Sequence, residues 1–360
     1  MNAPAKSRTA VESVLLPLLN LAAALLISGL VIKLIGEQPW RAFRLLVTGA
    51  FGTGENLGYT LYYATNFIFT GLSVAVAYHA GLFNIGAEGQ AYIGGLGSGL
   101  VCLAAGHWPF ALVLPAAIVA GAFGGAAWAF IPGYLQARRG SHVVITTIMF
   151  NFLASALMTY LLVHVLIEPG QQTPQSRAFA PNTWMPSAKG ALGSLAGDSP
   201  LNLAFVLALL AALGTWVYLW KTRWGFALRV AGENPAAARY AGISPERITI
   251  VAMLLSGGLA GCLGLNELMG SQHVVSLDFP AGAGFVGIAV ALMGRNRPLG
   301  IVLAAVLFGA LVQGGSELSF DMPHVTRDLV VVIQGLVILF CGALENLFKR
   351  PLALLWRRTP

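Results

Sequence analysis

The sequence predicts an all-α, polytopic integral membrane protein with about ten transmembrane segments, two of them short or broken. Of its 360 residues, 57% are hydrophobic and only 10% are charged, and the mean hydropathy is +0.74. A soluble domain usually carries about 25% charged residues. The 43 glycines supply small residues, which let helices approach each other closely in lipid. We predict that residues 1–360 form a single transmembrane domain.

Ten apolar runs are long enough, or nearly long enough, to cross a bilayer, for which a helix needs about 20 residues. The predicted spans are 14–35, 57–78, 91–105, 110–131, 143–167, 201–220, 248–268, 282–293, 299–318 and 329–348. The third and the eighth are the short ones. A mixed segment at 37–56, which contains Trp40, Arg41 and Arg44, has the pattern of an interfacial amphipathic helix.

The basic residues predict the orientation of the chain. If the N-terminus is cytoplasmic and the ten spans alternate, 15 of the 21 Lys and Arg residues fall on the cytoplasmic side, in agreement with the positive-inside rule. This orientation gives a cytoplasmic tail at 1–13, an extracytoplasmic loop at 168–200, a cytoplasmic loop at 221–247 and a second cytoplasmic tail at 349–360. Membrane topology therefore accounts for the net charge of +7 without nucleic acid as a partner.

The stretch 81–90, GLFNIGAEGQ, is unusually polar for a segment between two apolar runs. Its candidate functional residues are Asn84, Gly86, Glu88 and Gln90. A carboxylate in lipid is costly unless it faces a bundle interior, a cavity or an interface. Glu88 is therefore either a working carboxylate near a translocation path or a structural staple that holds a broken helix.

Two apolar runs resemble each other weakly: GLSVAVA at 71–77 and GIAVALM at 287–293. Each is followed by a polar break, at 84–90 and at 295–300. Paired interrupted segments in two halves of a chain are typical of a substrate path built at a repeat interface. A chance match between Gly- and Ala-rich spans explains the similarity equally well.

The cytoplasmic loop 221–247 carries strong helix signals. Asn234 followed by Pro235 is typical of a helix start, 236–241 contains strong helix formers, and Gly242 suits the left-handed residue that ends a helix. Ser244 and the proline after it repeat the start signal. Charged residues flank this short helix: Arg229, Glu233 and Arg239. It is either a docking element for a soluble partner or a capped connector.

This loop resembles the coupling loop of ATP-binding-cassette (ABC) importer permeases, in the branch that serves simple sugars and nucleosides. The matching residues are Thr222, Gly225, Arg229, Gly232, Glu233, Asn234, Pro235, Ala237, Ala238, Gly242 and Ile243. The stretch 81–90 is the other hallmark, in the form most typical of nucleoside-type members. Residues 284–300 and the TTIMFN run at 146–151, which ends at Asn151, also match. One difference stands out: many members have Asn-Glu where this chain has His142 and Val143, so no role of that carboxylate carries over.

The resemblance implies the function and the partners. The chain would be the longer permease subunit of an importer of nucleosides or related purine- or sugar-like solutes in the bacterial inner membrane. Its partners would be a second permease, cytoplasmic ATP-binding subunits and an extracytoplasmic binding protein. Residues expected to face the ATPase are Arg229, Glu233, Asn234, Pro235, Ala238 and Gly242. Those expected beside the path, or as structural motif, are Asn84, Gly86, Glu88, Gln90 and Asn151. A neutral nucleoside offers no cation for a carboxylate, which favours the structural role of Glu88.

The sequence lacks the motifs of an enzyme that acts by itself. It contains no GxxxxGK[ST], HExxH or GxSxG pattern, and its six histidines show no ligand spacing. We therefore expect no catalytic residue, metal or cofactor, with ATP hydrolysis on a partner. An alternative is an ion- or proton-coupled secondary transporter that uses Glu88, Glu267 or Glu317 as its titrating group. A third class, a membrane-embedded enzyme, lacks a catalytic constellation.

Overall fold

The computed structural model describes residues 19, 22–193, 197–322, 325 and 327–340. The predicted tails at 1–13 and 349–360 lie outside these residues. The described residues form fourteen α-helices and no strand, which confirms the all-α class. The helices are α1 Ala22–Leu34, α2 Pro39–Phe51, α3 Gly54–His79, α4 Ala87–Ala104, α5 Phe110–Arg139, α6 Val143–His164, α7 Ala188–Leu192, α8 Ala204–Lys221, α9 Arg223–Glu233, α10 Pro235–Tyr240, α11 Pro245–Gly261, α12 Ala283–Met293, α13 Pro298–Asp321 and α14 Arg327–Ile338.

Six helices in the described part of the chain are long and apolar enough to cross a membrane. They are α3, α5, α6, α8, α11 with its continuation to Gln272, and α13. The helices α1 and α12 are apolar but shorter. The count of ten spans is therefore not confirmed. The predicted interfacial segment 37–56 contains α2, whose face bearing Ala42 and Leu46 is buried while Trp40 is exposed.

The chain divides into two compact units, of which the first comprises Met1–Asn56 and Ala310–Pro360. Its described core is apolar and includes Ile32 of α1, Ala42 of α2, Leu318 of α13 and Ile333 of α14. The helices α2 and α13 approach closely at Gly314, where a Cβ atom would lie 2.1 Å from the carbonyl oxygen of Leu46. Small residues thus set the separation of helices here.

The second unit, Leu57–Gly309, is built on three helices whose backbones touch. A Cβ atom at Gly94 of α4 would lie 2.2 Å from the Cα atom of Gly261 in α11, and one at Gly125 of α5 would lie 2.1 Å from the carbonyl oxygen of Gly257. No side chain fits at these crossings. The glycines of α4, α5 and α11 therefore allow a three-helix contact at backbone distance, the packing that lipid favours.

A buried apolar cluster anchors the predicted cytoplasmic loop to the spans of the second unit. Leu228 of α9 is fully buried beside Val76 of α3, Leu219 of α8 and Met253 of α11. The helix α9 was not predicted from the sequence. Thr222 is its N-cap, because the Thr222 hydroxyl accepts a hydrogen bond from the Gly225 amide. With both α9 and α10 in it, the loop is mostly helical rather than a connector with a single short helix.

Candidate functional site

The break between α3 and α4 contains the polar stretch 81–90. The helix α3 ends at His79, Gly81 adopts the left-handed conformation (φ +75°), and α4 begins at Ala87. A Cβ atom at Gly86 would lie 2.9 Å from both Gln90 Nε2 and Thr147 Cβ, so the close approach requires glycine. Glu88 and Gln90 therefore lie in the first turn of α4 and not in the break itself.

Asn84 occupies the centre of this break and is fully buried. Its amide nitrogen donates to Gln90 Oε1 and to Ser256 Oγ, both at 2.8 Å. Its amide oxygen accepts from the Gly86 backbone N–H at 2.9 Å and from Gln90 Nε2 at 3.2 Å. The four hydrogen-bonding positions of the Asn84 side chain are thus filled, as a buried amide requires.

Asn151 joins α6 to the same break. Its amide oxygen accepts from the Gly89 backbone N–H at 2.9 Å, and its amide nitrogen donates to the Ile85 carbonyl at 3.0 Å. Asn151 thereby satisfies two backbone groups, one on each side of the α4 start. The sequence analysis named both Asn151 and the stretch 81–90 as candidates, but it could not show that they contact each other.

The staple hypothesis placed the partners of Glu88 in its own broken helix. The structure instead places them at the start of α12. Its Oε1 accepts from the Gly282 backbone N–H at 2.8 Å, and its Oε2 accepts from the Gly284 backbone N–H at 2.7 Å. A carboxylate in this position satisfies two of the N–H groups that have no partner within a helix, and it opposes the positive end of the helix dipole. The carboxylate therefore links the starts of α4 and α12.

The predicted cytoplasmic segment 221–247 contains the capped helices α9 and α10 and the capped start of α11. Asn234 caps α10 by accepting from the amides of Ala236 and Ala237, and Ser244 caps α11 by accepting from the Arg247 amide. Gly242 lies between them with φ +75°. The predicted helix start, left-handed glycine and second start are confirmed. Glu233 is exposed, while Ala238 is fully buried.

Backbone contact joins the segment 221–247 to the polar break. A Cβ atom at Gly232 would lie 2.3 Å from the carbonyl oxygen of His79, and one at Gly81 would lie 2.9 Å from the carbonyl oxygen of Gly232. Arg229 turns back towards α8 and donates from Nε to the Leu219 carbonyl at 3.1 Å. A cavity of about 580 Å³ opens between the two segments, lined in part by Arg229 and Glu233.

His79 extends this contact to the turn that precedes α13. Its Nε2 donates to the Asn296 carbonyl at 2.9 Å, and its ring packs edge-on against Trp220 at 5.2 Å between centroids. Asn296 and Arg295 both have φ +53°, which non-glycine residues rarely adopt. The end of α3, the segment 221–247 and the 295–300 turn thus meet at one histidine.

A second buried polar cluster lies where α11 widens into a π-helix at Leu265–Gln272. Glu267 accepts from Asn66 Nδ2 at 2.5 Å and from Gln272 Nε2 at 3.3 Å. Asn266 donates to Asn66 Oδ1 and accepts from Asn202 Nδ2. Helices with π-turns are frequently found at functional sites. Sequence reasoning named Glu267 only as a possible titrating group and missed its amide partners, Asn66 of α3 and Gln272 of the same π-helix.

The described part of the predicted extracytoplasmic loop, 168–193 and 197–200, binds the residues that end this π-helix. The backbone amides of Ser176, Phe179 and Met185 donate to the carbonyls of Val275, His273 and Met269. The rings of Trp184 and His273 stack with centroids 4.1 Å apart. The described part of this loop is therefore attached to the π-helix and is not a loose surface connection.

The sequence of this chain matches a known class of membrane transporter over most of its length. A profile described as the permease component of branched-chain amino acid transport systems matches residues 56–342, and the chain belongs to this family. It is thus a permease subunit of an ABC transporter, as the coupling-loop resemblance implied.

Three relatives match most of the chain. It is 34% identical to the nucleoside ABC transporter permease protein NupB of Lactococcus lactis, over 91% of this chain and 90% of that protein. It is 35% identical to the guanosine ABC transporter permease protein NupP of Bacillus subtilis, over 91% and 93% of the two chains. It is 34% identical to the glucose ABC transporter permease protein TsgB13 of Haloferax volcanii, over 93% and 88%.

Proposed function

We propose that this chain is the membrane permease subunit of an ATP-driven, binding-protein-dependent importer of nucleosides or related purine- or sugar-like solutes. Similarity to permeases named for nucleosides, guanosine and glucose over about nine-tenths of their lengths supports this solute class. The chain itself would form part of the path. ATP hydrolysis would occur on partner subunits.

The observation that carries the proposal is the contact between the cytoplasmic segment and the polar break. The helix α10 presents an exposed, well-capped surface, and the residues just before it touch the end of α3 at Gly232. A displacement imposed on α9 and α10 would therefore reach Gly81 and His79 directly, since backbone atoms in contact cannot absorb it. In this proposal Arg229, Glu233, Asn234, Pro235, Ala238 and Gly242 form the ATPase-coupling element.

The residues Asn84, Gly86, Glu88, Gln90 and Asn151 would hold the start of α4 beside the path. Because their polar groups bond to one another and to backbone groups, a structural role accounts for all of them. The staple role of Glu88 is the one we propose.

The proposed assembly contains a second permease, cytoplasmic ATP-binding subunits and an extracytoplasmic binding protein. Permeases of this class work with ATP-binding subunits, and the capped helix α10 offers the surface for one. The loop 168–200 would lie on the extracytoplasmic side of the membrane, facing the binding protein. We place the chain in the bacterial inner membrane with both termini in the cytoplasm, as the distribution of basic residues predicts.

The test is ATP-coupled uptake by the complete importer in proteoliposomes, with the exposed Glu233 replaced by alanine. We expect the number of solute molecules imported per ATP hydrolysed to fall several-fold, because the variant loses a charged contact at the docking surface. The matched control is Glu55→Ala, an exposed glutamate at the start of α3. It should leave this ratio unchanged.

Two results would contradict the proposal. The first is an unaltered ratio in both Glu233→Ala and Gly242→Pro; proline cannot adopt the φ of +75° found at Gly242. The second is uptake by the isolated chain under an ion gradient without ATP, which a secondary transporter would show.

A further inference from the structure

A small cavity of about 220 Å³ lies beside Glu88, between α4, α6 and the segment that leads into α12. Its polar lining includes Tyr92, Ser155 and Asp278, and two phenylalanine rings, Phe152 and Phe285, also line it. Both phenylalanines are large apolar residues with much of their surface exposed. The cavity thus combines ring faces with polar groups.

Two of the polar side chains that line the cavity already have partners within the fold. Both carboxylate oxygens of Glu88 accept backbone N–H groups of the α12 start. The amide of Asn151 is bonded at its oxygen and its nitrogen. Neither residue therefore has its strongest hydrogen-bonding positions available for a solute.

Asp278 differs from Glu88 and Asn151. Its side chain is exposed, and within the part of the chain that the structure describes no group donates to its carboxylate. Its backbone has φ +52°, a conformation uncommon for a non-glycine residue. The Asp278 amide donates to the Tyr92 hydroxyl at 2.6 Å, and the buried Tyr92 ring is itself fixed edge-on against Phe279 at 5.2 Å. Tyr92 thus holds the backbone that presents the Asp278 carboxylate.

The size of the cavity limits what it can hold. Pockets for drug-sized ligands measure about 300–1,000 Å³, so a cavity of about 220 Å³ accepts one ring of a solute rather than a whole nucleoside. A carboxylate is an acceptor for hydroxyl donors and bonds them strongly because it is charged. The face of an aromatic ring carries negative potential and suits the polarised C–H groups of a sugar ring.

We propose that this cavity is a subsite for the sugar ring of the transported solute, with Asp278 as the acceptor of its hydroxyl groups and with Phe285 and Phe152 as the ring faces. Tyr92 is a positioning residue for Asp278. The inference rests on the proposed import of nucleosides or sugars. The pentose ring of a nucleoside and a free hexose both carry hydroxyl donors and polarised C–H groups. The experiment therefore tests these two solute classes with separate probes.

The experiment compares solutes with and without a hydroxyl group in the complete importer, in proteoliposomes with saturating binding protein. The probes are guanosine, 2′-deoxyguanosine and 3′-deoxyguanosine in one arm, and glucose and 2-deoxyglucose in the other. The quantity measured is the ratio of maximal ATP-driven uptake of each parent solute to that of its deoxy analogue. Dividing the ratio of a variant by that of the wild type cancels the preference of the binding protein.

We expect Asp278→Asn to lower this ratio by about tenfold or more for at least one hydroxyl, the effect of losing a hydrogen bond to a charged group. Tyr92→Phe should lower the same ratio by a smaller factor than Asp278→Asn. The Asp278 carboxylate stays, but its backbone amide loses the hydrogen bond to the Tyr92 hydroxyl. Phe285→Leu should slow uptake of parent and deoxy solutes together. The matched control is Asp321→Asn, an exposed aspartate at the end of α13, which should change nothing.

The outcomes separate this inference from the proposed function. Wild-type importer without ATP-driven uptake of either parent solute would overturn both. Wild-type uptake combined with an unchanged ratio in Asp278→Asn would overturn the subsite alone. An equal loss for parent and deoxy solutes in Asp278→Asn would also overturn it, because a structural defect does not distinguish the two.

Discussion

Replacing Glu88 by glutamine tests the link between the starts of α4 and α12 at a single atom. The wild-type carboxylate has two acceptor oxygens, and each receives one backbone N–H, from Gly282 and from Gly284. Glutamine keeps the length and shape of the side chain but has only one acceptor oxygen. Its NH₂ group would face the second backbone N–H, so that two donors oppose each other.

The magnitude follows from these two bonds. A hydrogen bond to a charged group contributes about 1.5–3 kcal/mol, and an unpaired buried donor costs about 1–3 kcal/mol. Loss of the negative charge at the α12 start adds up to about 1 kcal/mol. Since the lost bond and the unpaired donor partly describe the same event, we expect Glu88→Gln to reduce the free energy of unfolding by about 3 kcal/mol. For a chain of 360 residues this corresponds to a melting temperature lower by about 4 °C.

The assay is thermal unfolding of the purified complex in lipid nanodiscs, combined with uptake per folded importer well below the melting temperature. If Glu88 is a staple, Glu88→Gln lowers the melting temperature while uptake stays within about twofold of wild type, because the remaining bond keeps α12 in place. The exposed Glu233→Gln should show the opposite: normal stability and weakened coupling. Normal stability with abolished uptake in Glu88→Gln would refute the structural reasoning.

Three further substitutions have defined outcomes. Gly125→Ala should abolish recovery of folded protein by size-exclusion chromatography, since its Cβ atom would lie 2.1 Å from the Gly257 carbonyl oxygen, whereas Gly214→Ala in α8, with no atom within 4 Å, should be neutral or slightly stabilising. Asn234→Ala removes both cap bonds of α10 and should lower the stability of this helix by about 1 kcal/mol. Asn234→Ser keeps a capping side chain and should restore coupled uptake. Equal coupling in wild type and Asn234→Ala would contradict a working role for α10. Gly232→Ala should separate the segment 221–247 from the end of α3, because the added Cβ atom would lie 2.3 Å from the His79 carbonyl oxygen. The number of solute molecules imported per ATP should then fall. Unchanged coupling in this variant would show that this contact does not carry the movement from α9 and α10 to α3.

Local chemistry made the helix ends of the segment 221–247 predictable. Asn234, Gly242 and Ser244 act within two or three residues of themselves, so a single sequence contains the whole interaction. The helix α9 escaped prediction because its apolar positions are mixed with Arg223 and Arg229. Its cap, Thr222, was noted only as part of the family pattern.

Long-range pairs were not predictable from one chain. Glu88 is separated from Gly282 by 194 residues and Asn66 from Glu267 by 201. The residue type reveals that a buried carboxylate needs donors, but nothing in the local sequence says which backbone supplies them. Asp278 escaped notice for the same reason: its place at a cavity and the hydrogen bond from its amide to the Tyr92 hydroxyl depend on residues far away in the sequence.

The glycine contacts among α4, α5 and α11 restrict how this protein can move. Where only a glycine fits between two backbones, sliding one helix along its neighbour would bring larger residues into that space and force the helices apart. We therefore expect α4, α5 and α11 to move together as one rigid body during a transport cycle.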